Sequence, residues 1–534
     1  MARSKRRIVG LALAAFLGGT LAGCRSSSPP PVPVPPQPLV PVATAPALPI
    51  HELHQFHRFV DAQLENFTMK RAGRMGMAAE PAERELVAQG YSPRLGRRFS
   101  PIEAHFNAGE ELFEFDFTSR EGFGTAIGGK PPNIHRVHRG GHGGPDATSC
   151  RSCHHRGGDD GAGEYTEAAL TGGDGESTFN ANERNAPAVL GAGAIQILAR
   201  EISEALAEQV RVPPGTEHDR ELVYQGVSFG TVHIRKDGTL DTSRLTAIDG
   251  DLVVRPFGWK GSHATLRRFA EEAFQVHHGM QSEVLTNLRR FFGPMPYGAS
   301  PATAAIMKSM GDGPPNDPDR DGATDELVGR FLTSISVYLA LLPLPVIEPP
   351  KAPDLLAAFR DGEAAFRQVG CDSCHKPYWL IKNPVWREVG EGNSSDDDLL
   401  LDLRKDIQRG AQLHTTDTLF YGQYPIFIYS DLRRHDMGEE LADRYEGPGP
   451  HPGDRRGPKI PPSYFLTRPL WGLADTAPYL HDGRALTIPD AIRLHGGEAA
   501  PVRDAYLRLP KERQRAMHVF LLSLTRPPIP EVVP

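Results

Sequence analysis

The sequence has few cysteines, few aromatic residues and few long apolar stretches. Its 534 residues include five cysteines, and aromatic side chains make up 8% of the chain. Five cysteines are too few for a disulfide-dense scaffold of this length. After the N-terminal 23 residues, no segment is long and apolar enough to span a membrane. We therefore expect a soluble body, and the chain length predicts two or more domains.

The N-terminus is typical of an export signal. Four basic residues lie within the first seven positions and are followed by the apolar run IVGLALAAFLGG. Residues 1–23 are thus predicted to be a signal peptide. The run ends in LAGC, which resembles the lipobox of bacterial lipoproteins and implies lipidation of Cys24. The alternative is a signal peptide that ends near an unrelated cysteine.

The next segments lack the features of a folded domain. Residues 24–50 are rich in proline and serine and almost uncharged, so they are predicted to be an extended, lipid-anchored linker. Residues 51–99 form an N-terminal extension. Loss of residues 1–23 removes four basic and no acidic side chains, which moves the net charge from −7 to −11. This acidity argues against a nucleic-acid partner. We expect a protein on the periplasmic side of a bacterial membrane, held there by its lipid anchor alone.

The four remaining cysteines form two pairs, and each pair is followed directly by histidine. The motifs are CRSCH, with Cys150, Cys153 and His154, and CDSCH, with Cys371, Cys374 and His375. This is the attachment signature of c-type haem. The thiols form thioethers with the porphyrin, and the adjacent histidine is placed to become the proximal iron ligand. Two covalently bound haem c cofactors are predicted.

The cysteines have two other interpretations. A four-cysteine zinc site usually places its pairs about 15–20 residues apart, whereas these motifs are separated by more than 200 residues. Two short-range disulfides would suit an exported protein. They would leave the identically placed histidines unexplained.

A larger pattern repeats around the two motifs. FNAGEELFEFDF precedes the first and FRDGEAAFRQVG the second, and each half closes with an apolar helical pattern that stops at prolines. We interpret this as an internal duplication in which two helices cover each haem. The predicted fold is mainly α, with two cytochrome c-like haem domains and long irregular loops. The predicted domains span residues 100–348 and 352–528.

Several segments resemble a known family. They are HFNAGEELFEFDFTSREGFG, RNAPAVLGAGAIQIL, RPFGWKG, SDLRRHDMGEELAD and FLTRPLWGLADTAPYLHDGRALTIPDAIRLHGGEA. Together they resemble the family called di-haem oxidoreductase, putative peroxidase, which is related to bacterial di-haem cytochrome c peroxidases and to the maturation enzyme of methylamine dehydrogenase. The resemblance covers most of the chain from about residue 98 and is more specific for architecture than for reaction.

The resemblance implies a different role for each haem. By position after the YLHDG motif, His495 would be the sixth ligand of the second, electron-transfer haem, with Met437 as the alternative. The first haem would be catalytic, with Gln196 and Glu201 above its iron as acid-base residues. The alternative for Glu201 is a place on the solvated face of an amphipathic helix.

Other residues have less specific signals. His277, His278 and Met280 are alternative candidates for a sixth ligand of the first haem or for the lining of its pocket. Trp259 and Trp471 are compatible with a position between the haems, although packing is the better interpretation of both.

An acidic loop resembles the first half of a calcium site. Asp317, Asp319 and Asp321 alternate before a glycine, and Asp325 or Glu326 would complete the ligands. The alternative is a solvated acidic turn.

Three functions remain open. The preferred one is an enzyme in which electrons pass between a six-coordinate haem and a peroxidase-like haem that reduces peroxide or oxidises a substrate. The second is an electron carrier in which both irons are closed, that is, six-coordinate and without a position for substrate. The third is a maturation or sensing protein that acts on another protein. A small redox protein, a cytochrome c or a cupredoxin, is the expected electron partner.

Overall fold

A computed structural model describes the chain between residues 91 and 526, with gaps. The described ranges are 91–92, 97–98, 101–124, 137–138, 146–156, 161–163, 169–171, 179, 181–213, 215–282, 317, 322–324, 326–327, 329–388, 399–403, 423–444 and 460–526. The predicted signal peptide and linker, Cys24, Asp319, Asp321 and Asp325 lie outside these ranges and stay predictions.

The described residues contain eight α-helices. They are α1 (Pro101–Glu114), α2 (Ala192–Gln209), α3 (Leu266–Ala273), α4 (Gly329–Leu341), α5 (Pro353–Val369), α6 (Ile488–Leu494), α7 (Ala500–Leu507) and α8 (Lys511–Leu522). In this part of the chain, none of the helices is both long and apolar enough to cross a membrane.

The strands are short and form seven small sheets of two or three strands in the described ranges. They are β1 (Tyr91–Ser92), β2 (Arg97–Arg98), β3 (Val137–His138), β4 (Ala169–Thr171), β5 (Asn182–Arg184), β6 (His218–Tyr224), β7 (Val227–Ile234), β8 (Leu240–Asp241), β9 (Val346–Ile347), β10 (Trp379–Ile381), β11 (Val385–Glu388), β12 (Leu399–Asp402), β13 (Tyr424–Ile426), β14 (Arg434–Asp436), β15 (Tyr464–Leu466) and β16 (Leu524–Thr525).

Helices α1 and α4 cross at a glycine. A Cβ added to Gly109 would lie 2.2 Å from the carbonyl oxygen of Ser334 and 2.5 Å from Cβ of Tyr338, so only glycine permits this approach. On either side of the crossing, Phe106 and Phe113 contact the Tyr338 ring, with centroids 5.3 and 5.5 Å apart. The contact buries all three rings.

Helices α5 and α8 cross in the same way. A Cβ on Gly362 would lie 2.0 Å from the carbonyl oxygen of Ala516. Phe359 and Phe366 contact the ring of Phe520, with centroids 5.7 and 5.4 Å apart. These residues occupy the same places in FRDGEAAF as the first set does in FNAGEELF. The repeated sequence therefore folds into two helix pairs with the same contacts.

The expectation of a mainly α fold is wrong. In the described ranges 36% of the residues are helical and 19% lie in strands, so the fold is mixed α and β. The clearest example is the hairpin of β6 and β7, whose Gln225–Gly226 turn has both φ angles positive (44° and 81°) as a tight hairpin requires. Inward residues of this hairpin, such as Leu222 and Phe229, are fully buried. The helical sequence pattern around the haem motifs does not predict these strands.

Two hydrophobic clusters form the core of the described residues, which all belong to one compact unit. The larger cluster joins residues from both sides of position 350, for example Leu198 and Phe229 with Trp379 and Trp386. The smaller one lies among α5, α7 and α8. The packing that joins the two halves is thus extensive. The domain bounds 100–348 and 352–528 stay a prediction.

Replacement of Gly362 by alanine tests the helix crossing. The new methyl group would overlap the α8 backbone, so α8 must move away. We expect the free energy of unfolding to fall by about 1–3 kcal/mol, as for other overpacked sites, even though alanine favours a helix over glycine by roughly 1 kcal/mol. Chemical denaturation of the haem-loaded protein measures this change.

Arg360→Ala is the matched control, because Arg360 is exposed on the same helix. Its effect should stay within about 0.5 kcal/mol. A Gly362→Ala variant as stable as the wild type would contradict the close crossing.

Candidate haem-binding sites

Both Cys-x-x-Cys-His motifs form a single helical turn. The backbone N–H of His154 donates to the carbonyl of Cys150 at 3.0 Å, and that of His375 donates to the carbonyl of Cys371 at 3.0 Å. Residues at this spacing share one face of a turn. None of the cysteines in the described ranges, Cys150, Cys153, Cys371 and Cys374, forms a disulfide. Each motif therefore presents two thiols and one imidazole together, as attachment of one haem requires.

The two motif histidines are oriented in the same way. Nδ1–H of His154 donates to the carbonyl of Gly161 at 3.2 Å, and Nδ1–H of His375 donates to the carbonyl of Tyr429 at 3.0 Å. Each bond fixes the tautomer that leaves the Nε2 lone pair for a metal. Burial lowers the pKa of each of these histidines to about 4. Both rings are thus neutral at pH 7, as iron ligation requires.

His495 faces His375 across the second motif. The ring centroids are 6.4 Å apart, and Nδ1–H of His495 donates to the Ala491 carbonyl at 2.7 Å. An iron with an imidazole nitrogen about 2 Å away on each side places two such centroids roughly 6 Å apart. Burial also lowers the pKa of His495. The two residues therefore fit an iron held by two neutral imidazoles.

The loop that carries His495 is held against β14 by backbone contact. A Cβ on Gly497, where φ is +50°, would lie 2.2 Å from the carbonyl oxygen of Asp436. Glu498 adds two hydrogen bonds: it accepts from the backbone N–H of Asp436 at 3.1 Å and pairs with His435 Nδ1 at 2.8 Å. The contacts of Gly497 and Glu498 thus hold the nearby His495 in position.

Sequence reasoning missed the role of His435, which lies in the segment considered only for Met437. Its Nε2 pairs with the fully buried Asp431 at 2.9 Å. Its Nδ1 lies 3.9 Å from Sγ of Cys374. Although burial opposes a charged ring, the bonds to Asp431 and Glu498 raise the pKa of His435 to about 11. The second motif is therefore bordered by an imidazolium between two carboxylates. The sequence signal that could have indicated this pair is a histidine four residues after an aspartate.

The first motif differs in what faces its histidine. Within the described part of the chain, the ring that contacts His154 is Phe113, with centroids 5.9 Å apart. No imidazole in that part faces His154 as His495 faces His375. His277 is near enough for its charge to lower the pKa of His154 slightly, after the larger effect of burial.

His278 lies beside the first motif. It belongs to a short π-helix, Phe274–His278, which follows α3 directly, and π-helical turns are frequent at functional sites. Its Nε2 is 3.8 Å from Cys150 Sγ, and its Nδ1–H donates to the carbonyl of Ala147 at 2.5 Å. Burial lowers its pKa to about 4. His278 thus borders the thioether side of the first motif as a neutral ring, and the fully buried Met280 follows it.

Gln196 and Glu201 lie on α2, and neither hydrogen-bonds to the first motif. Oε1 of Gln196 accepts from the backbone N–H of Leu266 at 2.7 Å, which secures the start of α3. The Glu201 carboxylate accepts from the backbone N–H groups of Lys382 and Asn383 at 2.8 to 3.1 Å. These bonds give both side chains structural partners. Their catalytic role stays a prediction.

The remaining candidates have packing or turn contacts. Nε1–H of Trp259 donates to the carbonyl of Asn185 at 2.8 Å. The ring of Trp471 packs against Gly191 at the start of α2. The backbone N–H of Met437 donates to the Ser463 carbonyl at 2.9 Å.

The calcium prediction rests largely on residues outside the described ranges. Asp317, which lies within them, accepts a 3.3 Å hydrogen bond from the backbone N–H of Gly322. This is a turn contact, and calcium binding stays a prediction.

Comparison with known proteins supports the family resemblance for the C-terminal part. Residues 411–524 match the family described as "Di-haem oxidoreductase, putative peroxidase". This segment contains His435, Arg468 and His495, and it confirms the family resemblance there. The match supports a haem-binding oxidoreductase. No curated protein matches the chain.

Two solved structures show weak similarity. One is hydrazine synthase from Kuenenia stuttgartiensis, at 16% identity and a TM-score of 0.21, covering 44% of this chain and 66% of that one. The other is the dihaem peroxidase BthA from Burkholderia thailandensis, at 14% identity and a TM-score of 0.25, covering 52% of this chain and 68% of that one. The chain thus spans slightly less than two thirds of the first. At these TM-scores neither similarity defines the fold or the function.

Replacement of His495 by alanine tests the ligand pair. Loss of the sixth ligand should convert the second haem from low spin to high spin, and added imidazole should restore the low-spin form. Spin-state marker bands in the resonance Raman spectrum measure the conversion.

Met437→Ala is the informative companion, because Met437 is the rival ligand and lies beside the same loop. It should leave the second haem low spin. If Met437→Ala rather than His495→Ala produces the high-spin form, the assignment of His495 is wrong.

Proposed function

We propose that this chain is a periplasmic, lipid-anchored di-haem c-type oxidoreductase. In this proposal electrons pass between a six-coordinate haem at the second motif and a peroxidase-like haem at the first, which reduces peroxide or oxidises a substrate. The family match of residues 411–524 supports the oxidoreductase class. Covalent attachment is proposed from the two Cys-x-x-Cys-His motifs and from the fit of their residues.

One observation supports the assignment of electron transfer to the second motif and of substrate chemistry to the first. His375 faces a second imidazole at 6.4 Å, whereas the described residues place Phe113, which cannot bind iron, against His154. A pair of imidazoles closes a metal to exogenous ligands, and an unpaired proximal histidine leaves a coordination position for substrate. The second motif therefore suits electron transfer, and the first suits chemistry.

Haem bound at the motifs would supply the one-electron chemistry, and the residues of the chain would position it and tune it. The carbonyls of Gly161 and Tyr429 orient the proximal imidazoles. His435, Asp431 and Glu498 place charged groups beside the second motif. At the first motif the aromatic rings of Phe117, Phe123 and Phe274 lie around His278 and exclude water from that side.

Buried ion pairs fix the two halves relative to each other. Arg184 donates two hydrogen bonds to Asp443, at 2.8 and 2.5 Å. Arg434 donates to Asp249 at 2.5 Å, and both side chains are at most 4% exposed. Breaking such a pair leaves a buried charge uncompensated. The separation of the motifs is therefore held rigidly, which suits electron transfer between two fixed cofactors.

The location and the partner follow from the N-terminus and the charge. A signal peptide followed by a lipidated Cys24 and a proline-rich linker would let the body reach soluble partners near the membrane. A small redox protein, a cytochrome c or a cupredoxin, would exchange electrons with the second haem.

A second candidate is an electron carrier with both irons closed. His278 favours it, because its neutral ring lies 3.8 Å from Cys150 Sγ. The third candidate, a maturation or sensing role, has no separate structural observation in its favour.

Replacement of His154 by alanine tests the assignment of the first motif. The variant, matured in a host that attaches c-type haem, should lose peroxide-dependent oxidation of reduced cytochrome c by at least about 100-fold, because the catalytic iron loses its proximal ligand. The second haem should remain attached and reducible. Stopped-flow absorbance measures the turnover.

His155→Ala is the control, since it removes the neighbouring imidazole and leaves the motif intact. Its turnover should match that of the wild type. Turnover that survives in His154→Ala would show that the chemistry does not occur at the first motif.

A further inference from the structure

Arg468 is a half-buried cation that has no carboxylate partner among the described residues. Its guanidinium lies over the ring of Trp259, whose centroid is 5.4 Å from the guanidinium carbon. Burial lowers its pKa to about 10. Two nearby arginines are paired: Arg433 with Asp431 at 3.8 Å and Arg434 with Asp249 at 2.5 Å. Arg468 is the exception in this region.

A guanidinium that is partly removed from water without a counter-charge is unfavourable. The contact with Trp259 offsets only part of that cost, since a cation over an aromatic face is a weaker interaction than a buried ion pair. Guanidinium groups match the geometry of carboxylates and donate to both oxygens. The side chain is therefore suited to a carboxylate that the protein does not itself supply.

The segment that contains Arg468 is bonded to the segment that orients His375: the N–H of Leu470 donates to the carbonyl of Ile428 at 3.3 Å. The next residue, Tyr429, accepts the hydrogen bond of His375.

The contact with Trp259 leads towards the first motif. Trp259, beneath the guanidinium, donates to the carbonyl of Asn185. Two residues later, Pro187 has a carbonyl close enough to His154 to favour the charged form of that ring slightly, against the larger effect of burial. The surroundings of Arg468 are therefore continuous with both motifs.

The same segment contains a second unsatisfied donor. Trp471 is 6% exposed, and its Nε1–H has no acceptor among the residues that the structure describes. Buried indole N–H groups usually have a partner. A half-buried guanidinium and a buried indole N–H, three residues apart and both without an acceptor among the described residues, indicate an anionic group beside this segment.

We propose that Arg468 and Nε1–H of Trp471 bind a carboxylate, and that this carboxylate is a propionate of one of the two haems. The inference rests on the proposed function only in requiring that haem be bound at the motifs. Haem carries two propionates, and the segment with these donors is hydrogen-bonded beside the residue that orients His375. A free carboxylate from solution has the same chemistry and is the alternative source that the test separates.

The test uses the full-length, haem-loaded protein with the variants Arg468→Met, Arg468→Lys and Trp471→Phe. Pyridine haemochrome analysis first establishes that each variant holds two haems. The measurements are then the midpoint potential of each haem and its propionate bending band in the resonance Raman spectrum. Arg367→Met is the control, because it removes one positive charge from α5, close to the second motif, where Arg367 pairs with Glu363.

Arg468→Met should lower the potential of one haem and shift its propionate band, because loss of a nearby positive charge favours the ferric form. Arg468→Lys should keep most of the potential and still shift the band, since a lysine cannot donate as a planar fork. Trp471→Phe should shift the same band with little change in potential. Arg367→Met should leave both bands unchanged. The haem that responds is the one whose propionate is bound.

The proposal is overturned if Arg468→Met holds two haems and neither potential nor band changes. It is also overturned if added acetate shifts the wild-type potential but not that of Arg468→Met while the propionate bands stay constant, because the ligand is then a soluble carboxylate. If Arg468→Met does not fold, the band of Arg468→Lys decides in the same way. A wild-type protein with fewer than two haems would instead contradict the proposed function.

Discussion

The close approach of two helices at a glycine determines where each motif lies. Gly109 and Gly362 let α1 meet α4 and α5 meet α8 at distances that a Cβ would prevent. One turn further on, the Phe113 carbonyl accepts the N–H of Arg151 and so holds the first motif. Phe366, the equivalent residue, contacts the ring of Tyr429, whose carbonyl orients His375. The packing of each helix pair therefore helps to set the position of the adjacent proximal histidine.

This common scaffold supports two unequal sites. Around His375 the chain adds the opposing ring of His495 and the charged group of His435, Asp431 and Glu498. Around His154 it adds aromatic rings and the neutral side chain of His278. A site closed by two facing imidazoles suits an iron that only exchanges electrons, and a site where no described imidazole faces the proximal histidine suits an iron that binds substrate. The proposed function follows from this difference.

The sequence predicted the parts that depend on local spacing and missed those that depend on tertiary contacts. The Cys-x-x-Cys-His motifs and the duplicated helices are readable because their residues are close in sequence. Part of the strand content was missed because strands such as β14 and β15 pair across long gaps in sequence and have only three residues each. The hairpin of β6 and β7 is local, and it was missed because the sequence reasoning followed the helical pattern around the haem motifs. His435 and Arg468 were missed because their significance lies in which charges surround them. The assignment of His495 came from a resemblance, and the ring pair adds a physical reason for it.

An electron paramagnetic resonance spectrum of the oxidised, haem-loaded protein, repeated after partial reduction, tests the central claim that the two irons differ. We expect a low-spin ferric signal from the second haem, together with a high-spin signal that accounts for about half of the iron in at least one of the two states. Two low-spin signals in both states would mean that both irons are closed. That result would contradict the account and favour the electron carrier.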